Sequence, residues 1–164
     1  MMQTKFKNKS YNLVSSLIQP GQKLEFSVSD TNFDVVEFNS FGKTTLISVF
    51  PSINTKICDF QTVSIRDLSV KYPQFRFISV SLDLPSAIAQ WKDANLADNL
   101  EIYSDYRLRS FGLATGFLIE DVFLLNRGYI IVDSGGRVLA VESNSDVHDQ
   151  IDFVKLEENL KKFS

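Results

Sequence analysis

Two periodicities divide the chain. Between Leu24 and Phe38, Leu24, Phe26 and Val28 alternate with polar residues, and so do Phe33, Val35 and, in the same phase, Glu37. A period of two is that of half-buried strands, and the turn residues Asp30-Thr31-Asn32 between the runs predict a hairpin near the N-terminus. An earlier short run, Phe6 to Val14, ends at Gln19-Pro20-Gly21. Lys5, Lys7 and Lys9 interleave with its start and read as solvated strand edges or a frayed end.

From Thr44 the pattern alternates between strands and helices. Thr44 to Phe50 is β-branched and aromatic and too short for a helix, so it reads as a buried strand. Asn54 to Tyr72 places Ile57, Phe60, Val63 or Ser64, and Leu68 at helical spacing, and Pro73 closes it. Phe75 to Leu82 is a second alternating strand. Pro85 to Leu96 fits a helix with proline in its first turn, and Leu100 to Tyr103 a short third strand. Tyr129 to Val132 and Val138 to Val141 flank Asp133-Ser134-Gly135-Gly136, which predicts an antiparallel hairpin. Asp149 to Phe163 is a closing helix, with Asp149 the expected N-cap and Asp152 placed like a capping-box acid. No repeat or linker interrupts the order. It predicts one α/β domain, residues 1–164: a mixed central sheet flanked by helices on both faces.

Composition narrows the function. A formal net charge of -3 provides no basic footprint for nucleic acid. No run approaches the about 20 apolar residues of a spanning helix, which argues against a membrane. Leu13 to Ile18 is interrupted by Ser15 and Ser16 and stopped by Pro20, so no signal peptide is read and a cytoplasmic location is expected. The sequon Asn8-Lys9-Ser10 then reads as coincidence. A single cysteine, Cys58, excludes an intrachain disulfide and a zinc site built on several thiolates.

The chemistry concentrates in Pro51-Ser52-Ile53-Asn54-Thr55-Lys56-Ile57-Cys58, between the first buried strand and its helix. Sites on open α/β sheets form at the carboxyl ends of strands. Cys58 falls in the first helical turn, where unpaired N–H groups and the macrodipole favour a thiolate. Thr55 can place its hydroxyl beside that sulfur, and Pro51 can shield the pocket from water.

Pro-Ser-x-x-Thr-x-x-Cys after Val49-Phe50 closely resembles the thiol peroxidase branch of the peroxiredoxins. The resemblance extends from about Gly21 to the C-terminus. It includes Gly42-Lys43 before the strand, Ser81-Leu82-Asp83-Leu84-Pro85, Ser104-Asp105-Tyr106-Arg107, and Arg127 ahead of Gly128-Tyr129-Ile130-Ile131-Val132-Asp133. It implies a thioredoxin-like fold and a homodimer. It also implies that Cys58 attacks a hydroperoxide to leave a sulfenic acid, that Arg127 favours the thiolate and binds the peroxide oxygens, that Thr55 aligns the O–O bond, and that Pro51 excludes water. Neither metal nor cofactor is required.

The chain departs from this branch at the usual resolving position, which falls at Lys92. Without a second cysteine, the sulfenic acid needs an external thiol, from a thioredoxin-like protein or a small molecule. Lys92 reads as solvent-facing, with thiolate stabilisation as the alternative. Asn54, where this branch commonly has an acid, reads as neutral variation.

Other signals are weaker. A lone cysteine is often a small buried hydrophobe. Arg107 supports the pocket, a subunit contact or an exposed ion pair equally well. Gly42-Lys43-Thr44 lacks the upstream glycine and the helix of a phosphate loop. His148, among Asp146, Asp149 and Asp152, reads as part of a solvated cap rather than a metal site. Trp91 reads as packing. Beside the peroxidase stand a redox sensor or binding protein, in which Cys58 is oxidised without efficient turnover, and an inert structural thiol.

Overall fold

The computed structural model describes residues 2–164. Two short strands, β1 (Gln3–Phe6) and β2 (Lys9–Asn12), pair as an antiparallel hairpin. Its turn is made by Lys7 and Asn8, both at positive φ, as tight two-residue hairpin turns require. The main sheet contains β3 (Phe26–Ser29), β4 (Val35–Phe38), β5 (Thr45–Val49), β6 (Arg76–Ser81), β7 (Glu101–Ser104), β8 (Gly128–Val132) and β9 (Val138–Ser143). Their order is β4-β3-β7-β6-β5-β8-β9. β5, β6 and β7 run parallel, while β8 and β9 are antiparallel additions. The helices are α1 (Lys56–Lys71), α2 (Pro85–Ala94), α3 (Ser110–Thr115) and α4 (Phe153–Lys162). The mixed sheet and hairpins expected from the periodicity are present.

Each central strand is buried on both faces. Leu46, Tyr129 and Ile131 pack against Ile65 and Leu68 of α1 and Leu156 and Leu160 of α4. Ile102 of β7 packs with Ile88 and Trp91 of α2. The opposite face, with Ile47, Val49, Ile78, Val80 and Ile130, meets Phe111 of α3 and Phe117, Leu118 and Leu125 from the segment that follows it. Burying a large apolar side chain contributes about 1.5–3 kcal/mol, so these contacts fix which sheet face α1 and α4 cover.

Four details differ from the pattern-based reading. In β4 the core-facing residues are Phe38 and half-buried Val36, paired with Phe26 and Val28, while Phe33 and Val35 are exposed. The turn is longer than three residues: the Asp30 carboxylate accepts from the amides of Asn32 and Asp34, and Phe33 takes positive φ. Across this five-residue turn Val36 lies opposite Val28 and Phe38 opposite Phe26, and directly opposed residues share a face, so the even-numbered positions of β4 point to the core. In α1 the buried stripe is Cys58, Gln61, Thr62, Ile65 and Leu68, and Phe60 is 59% exposed. α4 is capped by Asp152, whose carboxylate accepts from the Lys155 amide at 3.0 Å. Asp149 instead lies in a turn whose amide reaches the Asp146 carbonyl. The short helix α3 carried no signal of its own.

Candidate active site

After β5 the chain leaves the sheet through Phe50 and buried Pro51, then turns through Ser52, Ile53 and Asn54. Thr55 is the N-cap of α1: its backbone is extended, and its Oγ1 accepts from the Cys58 amide at 3.3 Å. The same hydroxyl donates to the Ser52 carbonyl at 3.3 Å. This cap places Cys58 at the third helical position, beside the positive end of the helix dipole. Cys58 is itself fully buried, in a cluster with Phe50, Ile53, Ile88, Trp91, Ala97 and Ile102. Asn54, Thr55 and Lys56 are exposed and form the solvent side of the loop.

Arg127 reaches this sulfur from the start of β8. Its Nη2 donates to Cys58 Sγ at 3.1 Å, its Nη1 to Gln61 Oε1 at 2.7 Å and its Nε to the Val147 carbonyl at 2.8 Å. Arg127 as a whole is 2% exposed. Among the described residues no carboxylate forms an ion pair with it. A buried guanidinium stays charged, so its three bonds hold a positive charge against the sulfur. A Cβ on Gly128 would lie 2.0 Å from the Glu142 carbonyl oxygen, so β8 and β9 approach closely beside Arg127.

Gln61 fixes the guanidinium from below. Its Nε2 donates to Ser48 Oγ at 2.7 Å and to the Val49 carbonyl at 3.1 Å, leaving Oε1 for Arg127. It was not singled out from the sequence. The available signal was a polar residue one helical turn beyond Cys58, on what proves to be the buried face. The Val147 carbonyl, a backbone group, has no side-chain signature.

The structure thus brings Cys58, Thr55 and Arg127 together, with Pro51 buried at the start of the same loop. Lys92 is half-buried in the last turn of α2, where its charge acts on Glu101 at the start of β7. Burial opposes the charge on that carboxylate, but hydrogen bonds from Arg76 and Tyr103 hold it below the usual glutamate range. Arg107 is exposed. His148 accepts from the Lys7 amide at 3.0 Å and stacks on Phe6, so it docks the N-terminal hairpin. Among the described residues no group of three or more His, Cys, Asp or Glu side chains is arranged to hold a metal. No helix among them is long and apolar enough to cross a membrane.

A cleft of about 570 Å³ lies at the opposite end of the parallel strands, beside Lys43, Phe75, Arg76 and Glu101. Its guanidinium and carboxylate are already paired, at 2.8 and 2.6 Å. The helix cap, buried thiol and guanidinium make the stronger chemical case.

A solved peroxiredoxin-like protein from Aquifex aeolicus superposes on the chain with a TM-score of 0.91 at 20% identity, covering 100% of this chain and 98% of that one. The fold is therefore the thioredoxin-like fold of the peroxiredoxins. The chain is 34% identical over 157 residues to the thiol peroxidase of Bacillus subtilis (strain 168), covering 94% of each. It is 30% identical over 164 residues to the thiol peroxidase of Oceanobacillus iheyensis, covering 99% of this chain and 100% of the relative. No protein-family model matches the chain. With this identity over nearly its full length, the chain belongs to the thiol peroxidase family: it is a peroxiredoxin-type peroxidase, an oxidoreductase.

Proposed function

We propose that the chain reduces hydrogen peroxide or organic hydroperoxides through Cys58, by a one-cysteine mechanism. The observation that carries this reading is the 3.1 Å contact from Arg127 to Cys58 Sγ, made by a buried guanidinium without a carboxylate partner among the described residues. The positive charge held there complements the nucleophilic sulfur and the negative charge that develops on the leaving oxygen.

The thiolate attacks one peroxide oxygen. An S–O bond forms, the O–O bond breaks, and the released alkoxide or hydroxide takes a proton to leave as alcohol or water. Sulfur is oxidised to sulfenic acid and the peroxide is reduced. Arg127 stabilises negative charge passing from sulfur to the leaving oxygen. Thr55 holds the peroxide in line, and Pro51 with the apolar cluster keeps water from the sulfur. One external thiol condenses with the sulfenic acid, releasing water, and a second cleaves the mixed disulfide to restore Cys58. Cys58 being the only cysteine, both thiols come from outside this chain.

In the same reading, residues 1–164 act as one domain of a cytoplasmic homodimer, with no metal or organic cofactor. The family relationship does not favour the sensor alternative. Trapping with a sulfenic-acid-specific dione tests the chemistry. One equivalent of peroxide should give a dione adduct on Cys58 by mass spectrometry, and Arg127→Met should slow its formation. Absence of adduct and of any oxidised sulfur would refute the assignment.

A further inference from the structure

The loop that supplies the Cys58 cap has few bonds of its own. The Phe50 amide reaches the Val80 carbonyl at 3.4 Å, and the Thr55 amide reaches the Ser52 carbonyl at 3.4 Å. Between them, one side chain from the end of β6 ties the loop down. Asp83 Oδ2 accepts from the Ile53 amide at 2.7 Å and from Ser81 Oγ at 2.7 Å, while Oδ1 accepts from Ser52 Oγ at 3.1 Å. Asp83 is itself anchored: its amide donates to Ser81 Oγ at 3.3 Å, and its carbonyl accepts from Ser104 Oγ. Ser52 passes the constraint on, because its carbonyl accepts the Thr55 hydroxyl, whose oxygen caps the Cys58 amide.

We propose that Asp83 is a positioning residue for peroxide reduction: by fixing Ser52 and Ile53, it sets the place of the Thr55 hydroxyl relative to the Cys58 sulfur. The inference rests on the roles given to Cys58 and Thr55 above. Asp83 makes no hydrogen bond to Cys58 or Arg127, so it acts on the reaction through the loop. Charge-assisted bonds to a carboxylate are stronger than neutral ones, which suits it to hold an exposed loop against thermal displacement. Reaction of an aligned O–O bond is sensitive to such displacement, a misplacement of about 1 Å being able to cost on the order of a hundredfold. Alkylation of the same sulfur needs no alignment by Thr55.

The test compares two second-order rates, for hydrogen peroxide and for iodoacetamide, in the parent, Asp83→Ala, Asp83→Asn and Thr55→Val. Asp83→Ala should lower the peroxide rate roughly tenfold and change alkylation by less than about twofold. Asp83→Asn should recover part of the loss, since its remaining carbonyl oxygen can accept from the Ile53 amide. In a Thr55→Val background Asp83→Ala should add little, because both changes remove one constraint. An unchanged peroxide rate overturns the proposal. So does an equal loss of both rates, which would mark Asp83 as support for the fold alone. If Asp83→Ala does not fold, Asp83→Asn with Ser52→Ala serves instead, and an unchanged peroxide rate in that pair overturns the proposal. If Thr55→Val leaves the peroxide rate unchanged, the assigned role of Thr55 fails and the inference falls with it. Slowing in Thr55→Val with none in Asp83→Ala overturns the inference alone.

Discussion

Replacing Gln61 separates the support of the fold from the aiming of Arg127. Gln61 is fully buried and makes three side-chain bonds, to Ser48, to the Val49 carbonyl and from Arg127. Leucine is somewhat larger than glutamine, so Gln61→Leu leaves no cavity but strips all three. An unsatisfied buried polar group costs about 1–3 kcal/mol, more when charged. The Ser48 hydroxyl can rotate and the Val49 carbonyl lies in the sheet ladder, so the Arg127 Nη1 group dominates. Destabilisation of roughly 2–4 kcal/mol follows, readable as a lowered urea midpoint. The guanidinium would then hinge on its Nε bond to Val147, and peroxide reduction should slow by roughly ten- to a hundredfold.

Gln61→Glu provides the contrast. It keeps an acceptor for Nη1 and places a carboxylate against Arg127, offsetting the charge that acts on the sulfur. The glutamate variant should retain more stability than the leucine variant, yet react with peroxide at least as slowly. Equilibrium unfolding followed by the single tryptophan, Trp91, and stopped-flow peroxide kinetics would measure both effects. A Gln61→Glu protein that reacts as fast as the parent would refute the argument.

Two further outcomes follow from buried contacts. Burial pushes the Asp105 carboxyl up from an ordinary 3.8 to about 6, against the Gly112 and Phe111 amides that bond to it and favour its charged form. The folded protein then keeps a proton that the unfolded chain loses. Stability from this group is full below about pH 4, declines between about pH 4 and 6, and is level above, a span of roughly 3 kcal/mol. The parent-minus-Asp105→Asn difference in unfolding free energy should show that decline, and a flat difference would contradict it. Gly128→Ala should destabilise by roughly 1–3 kcal/mol through overpacking against Glu142 and Phe117, and slow peroxide reduction by displacing Arg127; thermal melting and the peroxide assay check both.

What could be read from the sequence was what is local. Pro51, Thr55 and Cys58 span one strand end and one helix cap, so residue type and spacing placed them together. Arg127 lies 69 residues from Cys58 and was reached only through family resemblance. Gln61 was hidden because the hydrophobic period favoured Phe60 and Val63, whereas α1 turns a polar residue inward over Ser48. Asp83 was legible as part of a motif, but its bonds to the loop depend on the parallel pairing of β5 and β6. The phase of β4 depended on which of its residues lie opposite Phe26 and Val28, and the cap of α4 on a turn at Asp146 that the N-terminal hairpin grips through Lys5.

The central claim is that Cys58 turns over with an external thiol, and the direct measurement is hydroperoxide consumption by the purified protein with excess small dithiol, alongside Cys58→Ser. Sustained consumption by the parent, many equivalents per chain, with none by the variant, is the predicted result. A parent that consumes about one equivalent and stops despite fresh dithiol, or a variant that still turns over, would contradict it.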